Sequence, residues 1–73
     1  MNLFKLPETV ALDELDTVIV STVDLRSFSW GGAKYETCLF WHTGDSQVQG
    51  RWHSLDQAMA EHRRLVMELR PKD

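Results

Sequence analysis

The sequence predicts an α+β domain of order βββα, a three-stranded antiparallel sheet with one C-terminal amphipathic helix packed on one face. Three observations carry this expectation. Residues 17–26 form a β-branched run, two further strand-like runs are joined by a connection rich in Gly and Asp, and an apolar stripe at 3–4 spacing follows a capping serine.

The chain opens on residues 1–16, which mix apolar and acidic positions without a sustained period and contain Pro7. They read as an extended or partly ordered arm ahead of a single domain at 17–73. Residues 17–26 (TVIVSTVDLR) suit a strand, with Val23 and Leu25 alternating against Thr22, Asp24 and Arg26. Residues 27–33 (SFSWGGA) form a loop, and residues 34–41 (KYETCLFW) a second strand. The polar stretch 42–47 (HTGDSQ) supplies a hairpin connection to a third strand at 48–53, where Val48, Gly50 and Trp52 alternate with Gln49, Arg51 and His53. Gly50 marks a candidate bulge there. Short connections require antiparallel pairing, since a parallel crossover needs a dozen or more residues.

The helix is predicted over residues 55–70. Ser54 is its N-cap, Gln57 the capping-box partner, Asp56 a favourable charge at the positive end of the dipole, and Pro71 the stop. Leu55, Ala58, Met59, His62, Leu65, Val66 and Leu69 form the stripe that faces the sheet, while Gln57, Glu61, Arg64 and Glu68 lie on the far side.

A chain of 73 residues is near the lower limit for burying a sufficient core. Cys38 is the only cysteine, so no intramolecular disulfide can help. One helix covers one face of a sheet whose first two strands carry apolar side chains on both, with Val18 and Val20 opposite Ile19, and Phe40 opposite Leu39 and Trp41. The second face therefore calls for cover, either from Leu3, Phe4 and Leu6 of the arm or from a second copy. A homo-oligomer is the expectation, with Val18, Val20 and Phe40 at its interface.

Net charge is −3, which argues against general nucleic-acid binding through phosphate neutralisation. No stretch approaches the length of an apolar membrane span, and the acid-rich start lacks the pattern of a secretory signal, so a cytoplasmic protein without membrane association is expected. The charge is unevenly spread. Residues 1–24 set Lys5 against five acids, while residues 25–54 carry Arg26, Lys34 and Arg51 against Glu36 and Asp45. Any anion site is expected in that middle segment.

No enzyme signature is present. The spacings of eleven and nine among His42, His53 and His62 match no paired-ligand metal pattern, and no cofactor motif occurs; Trp30-Gly31-Gly32 lacks the length and the following Lys-Ser/Thr of a phosphate-cradling loop. Cys38 lies mid-strand, away from any helix N-terminus that would stabilise a thiolate. His62 sits in the apolar stripe, where a core histidine bonded to a backbone carbonyl or a sheet side chain is the plain account and a ligand-binding role the sharper one. Arg26, Trp30, Lys34, Arg51, Trp52 and His53 offer the cations and aromatic faces that phosphate and base require. The competing account makes Trp52 a core residue, Trp30 a loop anchor or interface residue, and the cations solvated charges on strand edges.

The run Val20-Ser21-Thr22-Val23, then Tyr35-Glu36-Thr37 with Phe40, then Arg51-Trp52-His53-Ser54 and Ala58 with His62, resembles a family of small uncharacterised bacteriophage and prophage proteins. Those proteins typically read VSTV, a glycine-containing loop, YETMVF, a polar turn, RY-S/T-T and a helix with EEA and GH. The register holds from about residue 20 to residue 66. This chain departs at Cys38 for Met, Trp52 for Tyr, Asp56-Gln57 for paired glutamates and Glu61 for Gly. The resemblance implies a stoichiometric accessory binder of counter-defence type that sequesters a nucleotide signal or blocks a host protein. In the nucleotide form Arg26, Lys34 and Arg51 would hold phosphate, Trp30 or Trp52 would stack on a base, and His62 would join the ligand site. The alternative is an interaction module that only oligomerises and binds protein. An enzyme using His62 with Tyr35 or Glu36 is the least supported reading.

Overall fold

The structure is a computed structural model and describes residues 7–28 and 32–71. Four strands, β1 (Glu8–Glu14), β2 (Val18–Asp24), β3 (Tyr35–Trp41) and β4 (Ser46–Trp52), form one antiparallel sheet in the order β1-β2-β3-β4. A 3₁₀ turn (Arg26–Phe28) follows β2, and the helix α1 (Leu55–Leu69) closes the chain. The α+β class and the C-terminal helix are as the sequence predicts, but the sheet has four strands rather than three. The additional strand, β1, lies in the segment expected to be an arm.

The strand was hidden by two features of its sequence. Glu8, Asp13 and Glu14 depress its apolar content, and a bulge interrupts its two-residue period, since Thr9 pairs with Val23 while Ala11 pairs with Thr22 and leaves Val10 between them. A second bulge lies in β4, where Gly50 pairs with Thr37 and Val48 with Cys38, leaving Gln49 extra. The inner strands β2 and β3 pair without interruption from Val18↔Trp41 to Asp24↔Tyr35.

The β3–β4 connection turns at His42 to Asp45. The Trp41 amide donates to the Asp45 carbonyl at 2.8 Å and the Gly44 amide to the Trp41 carbonyl at 2.9 Å. Gly44 holds φ at +100°, a left-handed value that costs a glycine nothing.

Helix α1 begins as its sequence dictates. The Ser54 Oγ accepts the Gln57 amide at 3.1 Å, satisfying one of the free donors of the first turn. Arg64 bonds Glu61 and Glu68, each at 2.8 Å, on the solvent side. The opposite side buries Ala58, His62 and Leu65.

Strand alternation divides the sheet into a helix face and an outer face. Val18, Val20 and Leu39 meet Leu65 under the C-terminal half of α1, with Leu15, Trp41, Val66 and Leu69 packed around them. Each of these four buried side chains contributes roughly 1.5–3 kcal/mol of apolar burial. The outer face carries Leu12, Ile19, Val23, Cys38, Phe40 and Val48 by the same alternation and register.

The expected interface of Val18, Val20 and Phe40 is thereby corrected. Val18 and Val20 are 0% exposed beneath α1, whereas Phe40 is 45% exposed on the opposite side. The register explains why: Val20 pairs with Leu39 and Ile19 with Phe40, so Phe40 shares its face with Ile19 and not with the two valines.

Candidate functional site

Two places on the molecule carry chemistry: a polar row buried under α1, and the outer face.

The polar row interrupts the apolar helix face. Thr22 and Thr37 lie opposite one another on β2 and β3, both 0% exposed, with their hydroxyl oxygens 2.6 Å apart. His62, 2% exposed, reaches down from α1 so that its Nδ1 stands 2.8 Å from the Thr22 Oγ1. Its Nε2 is 2.7 Å from Oδ2 of Asp13, which β1 presents at the sheet's edge. At the other end the Trp52 indole N–H donates to the Thr37 Oγ1 at 3.0 Å.

Hydrogen counting fixes the direction of this relay. The indole can only donate, so Thr37 accepts from it. Thr37 then donates to Thr22, and Thr22 to Nδ1; in the reverse direction one hydroxyl proton would lack an acceptor among these groups. Nδ1 is therefore bare, and the ring proton resides on Nε2 and is given to Asp13. Every buried side-chain polar atom among the described residues has a partner. The order Asp-His-Thr resembles a nucleophile with its base and orienting carboxylate, but the Thr22 hydroxyl is fully buried and points into the protein. The row acts as a polar clamp joining β1, β2, β3, β4 and α1.

Trp52 reaches Thr37 because of Gly50. A Cβ at position 50 would lie 2.5 Å from Cη2 of the Trp52 ring, so the indole lies flat over bare backbone. Neither Thr22, Thr37 nor Asp13 was assigned a role from sequence. The available signal was parity: Thr22 follows Val18 and Val20 on the buried side of its strand, across from a stripe that contains His62.

The residues expected to hold a nucleotide do not converge. Arg26 is held by Asp24, with Nη2 to Oδ2 at 2.7 Å, and its guanidinium lies 5.9 Å over the Tyr35 ring on the helix side. This pairing pushes the Arg26 guanidinium up and lowers the Asp24 carboxyl, chiefly through the side-chain hydrogen bond. Arg51 lies on the outer face, its Nε 2.8 Å from Oε2 of Glu36. Trp52 and His62 are committed to the core relay, Lys34 is exposed at the entry to β3, and His53 is exposed with Nδ1 3.3 Å from the Gly32 carbonyl. Trp30 lies outside the described residues. Tyr35 and Glu36 are neighbours on one strand and so face opposite sides, which prevents both from meeting His62.

The outer face is the larger feature. Leu12, Phe40 and Val48 are 56%, 45% and 52% exposed on it. Cys38 lies near its centre, half-buried, and its thiol is pushed up to about 11 by burial and by its hydrogen bond to Glu36 at 3.4 Å. It is thus a protonated apolar element at neutral pH. Among the described residues no helix is long and apolar enough to cross a membrane.

Fold and site together define a small four-stranded α+β domain with a clamped polar core and an apolar sheet face that no described residue covers. Comparison with protein families, curated proteins and solved structures finds no match to the chain.

Proposed function

We propose that this chain is a small accessory binding protein that acts stoichiometrically, docking the outer face of its sheet against a protein surface. One observation carries the reading: Leu12, Phe40 and Val48 stand exposed together on a single sheet face that no described residue covers. Apolar side chains grouped in this way mark interaction surfaces rather than ordinary solvated sheet. The resemblance to small phage and prophage proteins supports a role of the same kind, blocking a host protein. Sequestering a nucleotide signal has less support, because Arg26 and Arg51 are each engaged by a carboxylate and lie on opposite sides of the sheet.

The test is site-specific crosslinking. A photo-reactive phenylalanine analogue at position 40 is expected to give protein adducts in excess of the same group at Met67, which is 66% exposed on the helix. Equal yields at the two positions overturn the proposal.

A further inference from the structure

We infer that the partner the outer face fits is a second copy of this chain, its strands crossed at right angles about a two-fold axis that sets Glu14 against the partner's Arg51. The inference rests on the docking role proposed above and names the occupant.

Pairing lays the outer face out as a grid. One row reads Glu14, Ile19, Phe40, Ser46; the next Leu12, Ser21, Cys38, Val48; the third Thr9, Val23, Glu36, Arg51. Three strand spacings of about 4.8 Å and two double steps of about 6.8 Å make this grid nearly square, roughly 14 Å on each side. Its corners are Glu14, Ser46, Arg51 and Thr9, with the two charged corners on one diagonal.

Two sheets stack face to face about 10 Å apart, either aligned or orthogonal. An isologous pair needs a two-fold axis lying in the interface. An axis along the strands sets Glu14 against Ser46 and Arg51 against Thr9. An axis across them sets Glu14 against Thr9 and Arg51 against Ser46. The diagonal axis through Glu14 and Arg51 opposes each charge to its own copy. The other diagonal, through Thr9 and Ser46, exchanges the charged corners, bringing Glu14 over the partner's Arg51 twice with lateral offsets of about 1 Å on the idealised grid. It also lays Phe40 over the partner's Val48 and Leu12 between the partner's Val23 and Glu36. Of the four settings, this one alone sets the two charged corners against each other: Arg51 keeps Glu36 on its Nε, and its Nη groups, which hold no partner among the described residues, reach the partner's Glu14.

Four strands of seven residues span about 19 Å by 23 Å, so the whole sheet face covers roughly 440 Å², about half of what each partner contributes to a standard interface, and a weak dimer dissociating in the micromolar range is expected. Sedimentation of the full chain from about 5 to about 500 µM brackets that range. Glu14→Arg and Arg51→Glu are each expected to weaken self-association about tenfold, and an equimolar mixture of the two variants to restore it, because both crossed pairs are then complementary. Restoration by mixing also shows that each variant is folded. Glu14→Arg associating like the wild type overturns the arrangement, as does a mixture no tighter than its components. A wild type monomeric throughout overturns self-pairing; if position 40 still crosslinks to other proteins, the docking role survives without it. Dimerisation only after removal of residues 1–6 makes the leading segment the occupant and overturns the proposal.

Discussion

Replacing Thr22 by valine removes one hydroxyl and almost no volume, so its cost isolates the buried relay. In the wild type the Thr22 Oγ1 is bonded to Thr37 at 2.6 Å and to His62 Nδ1 at 2.8 Å. Valine leaves a ring nitrogen without a donor and the Thr37 hydroxyl proton without an acceptor, both in a site at 0–2% exposure. Each buried polar group left unpaired costs about 1–3 kcal/mol, which gives about 2–6 kcal/mol for the two. A domain of 73 residues holds roughly 4–11 kcal/mol in total. The loss is thus a large share, and the melting temperature should fall by roughly 10 °C or more. Adding His62→Leu removes the stranded nitrogen, while Asp13, half exposed, takes up water. The double variant should therefore be more stable than the two single losses sum to, by about 1–2 kcal/mol. Urea and thermal unfolding followed by circular dichroism measure both quantities. A Thr22→Val protein within about 0.5 kcal/mol of wild type, or strictly additive losses, would refute the relay as a structural clamp.

Two further outcomes follow from side-chain geometry. Gly50→Ala places a methyl group 2.5 Å from the Trp52 ring, so the indole must swing away and release Thr37; a loss of about 1–3 kcal/mol and a red-shifted tryptophan emission are expected, and an unchanged spectrum would contradict the packing. Cys38, raised from 9.0 to about 11, is protonated in the folded chain at pH 8; its alkylation should be slower there than in the urea-unfolded chain, with the gap closing as pH rises toward 11, and equal rates at pH 8 would show the thiol to be free.

Much of the fold was legible because local chemistry and tertiary role agree. Ser54 and Gln57 announce the start of α1, and the stripe through Ala58, His62 and Leu65 is the one that is buried. Residues 17–53 read as three strands because β-branched and aromatic side chains dominate them. Strand β1 escaped in part because one of its acids serves a distant partner: Asp13, which reads as a solvated charge, accepts a hydrogen bond from His62 Nε2, 49 residues away. Nor could local sequence show that Thr22 and Thr37 meet, since strand register alone brings them together. The cationic cluster was open to a stricter reading. Arg51 and Trp52 are adjacent on one strand and must face opposite ways, which sequence alternation already dictates.

The two bulges bear on how such a small sheet avoids polymerising. Among the described residues Val10 and Gln49 each lie in a strand with no neighbour on one side, while the central β2–β3 ladder runs unbroken. An extra residue in a border strand twists its free amides and carbonyls out of line, so an incoming segment cannot zip along it in phase. Both margins are thereby poor templates for lateral growth, the geometry of fibrils. In the pairing proposed above, contact between copies is broad-side stacking, which closes on itself after one partner because α1 covers the other face.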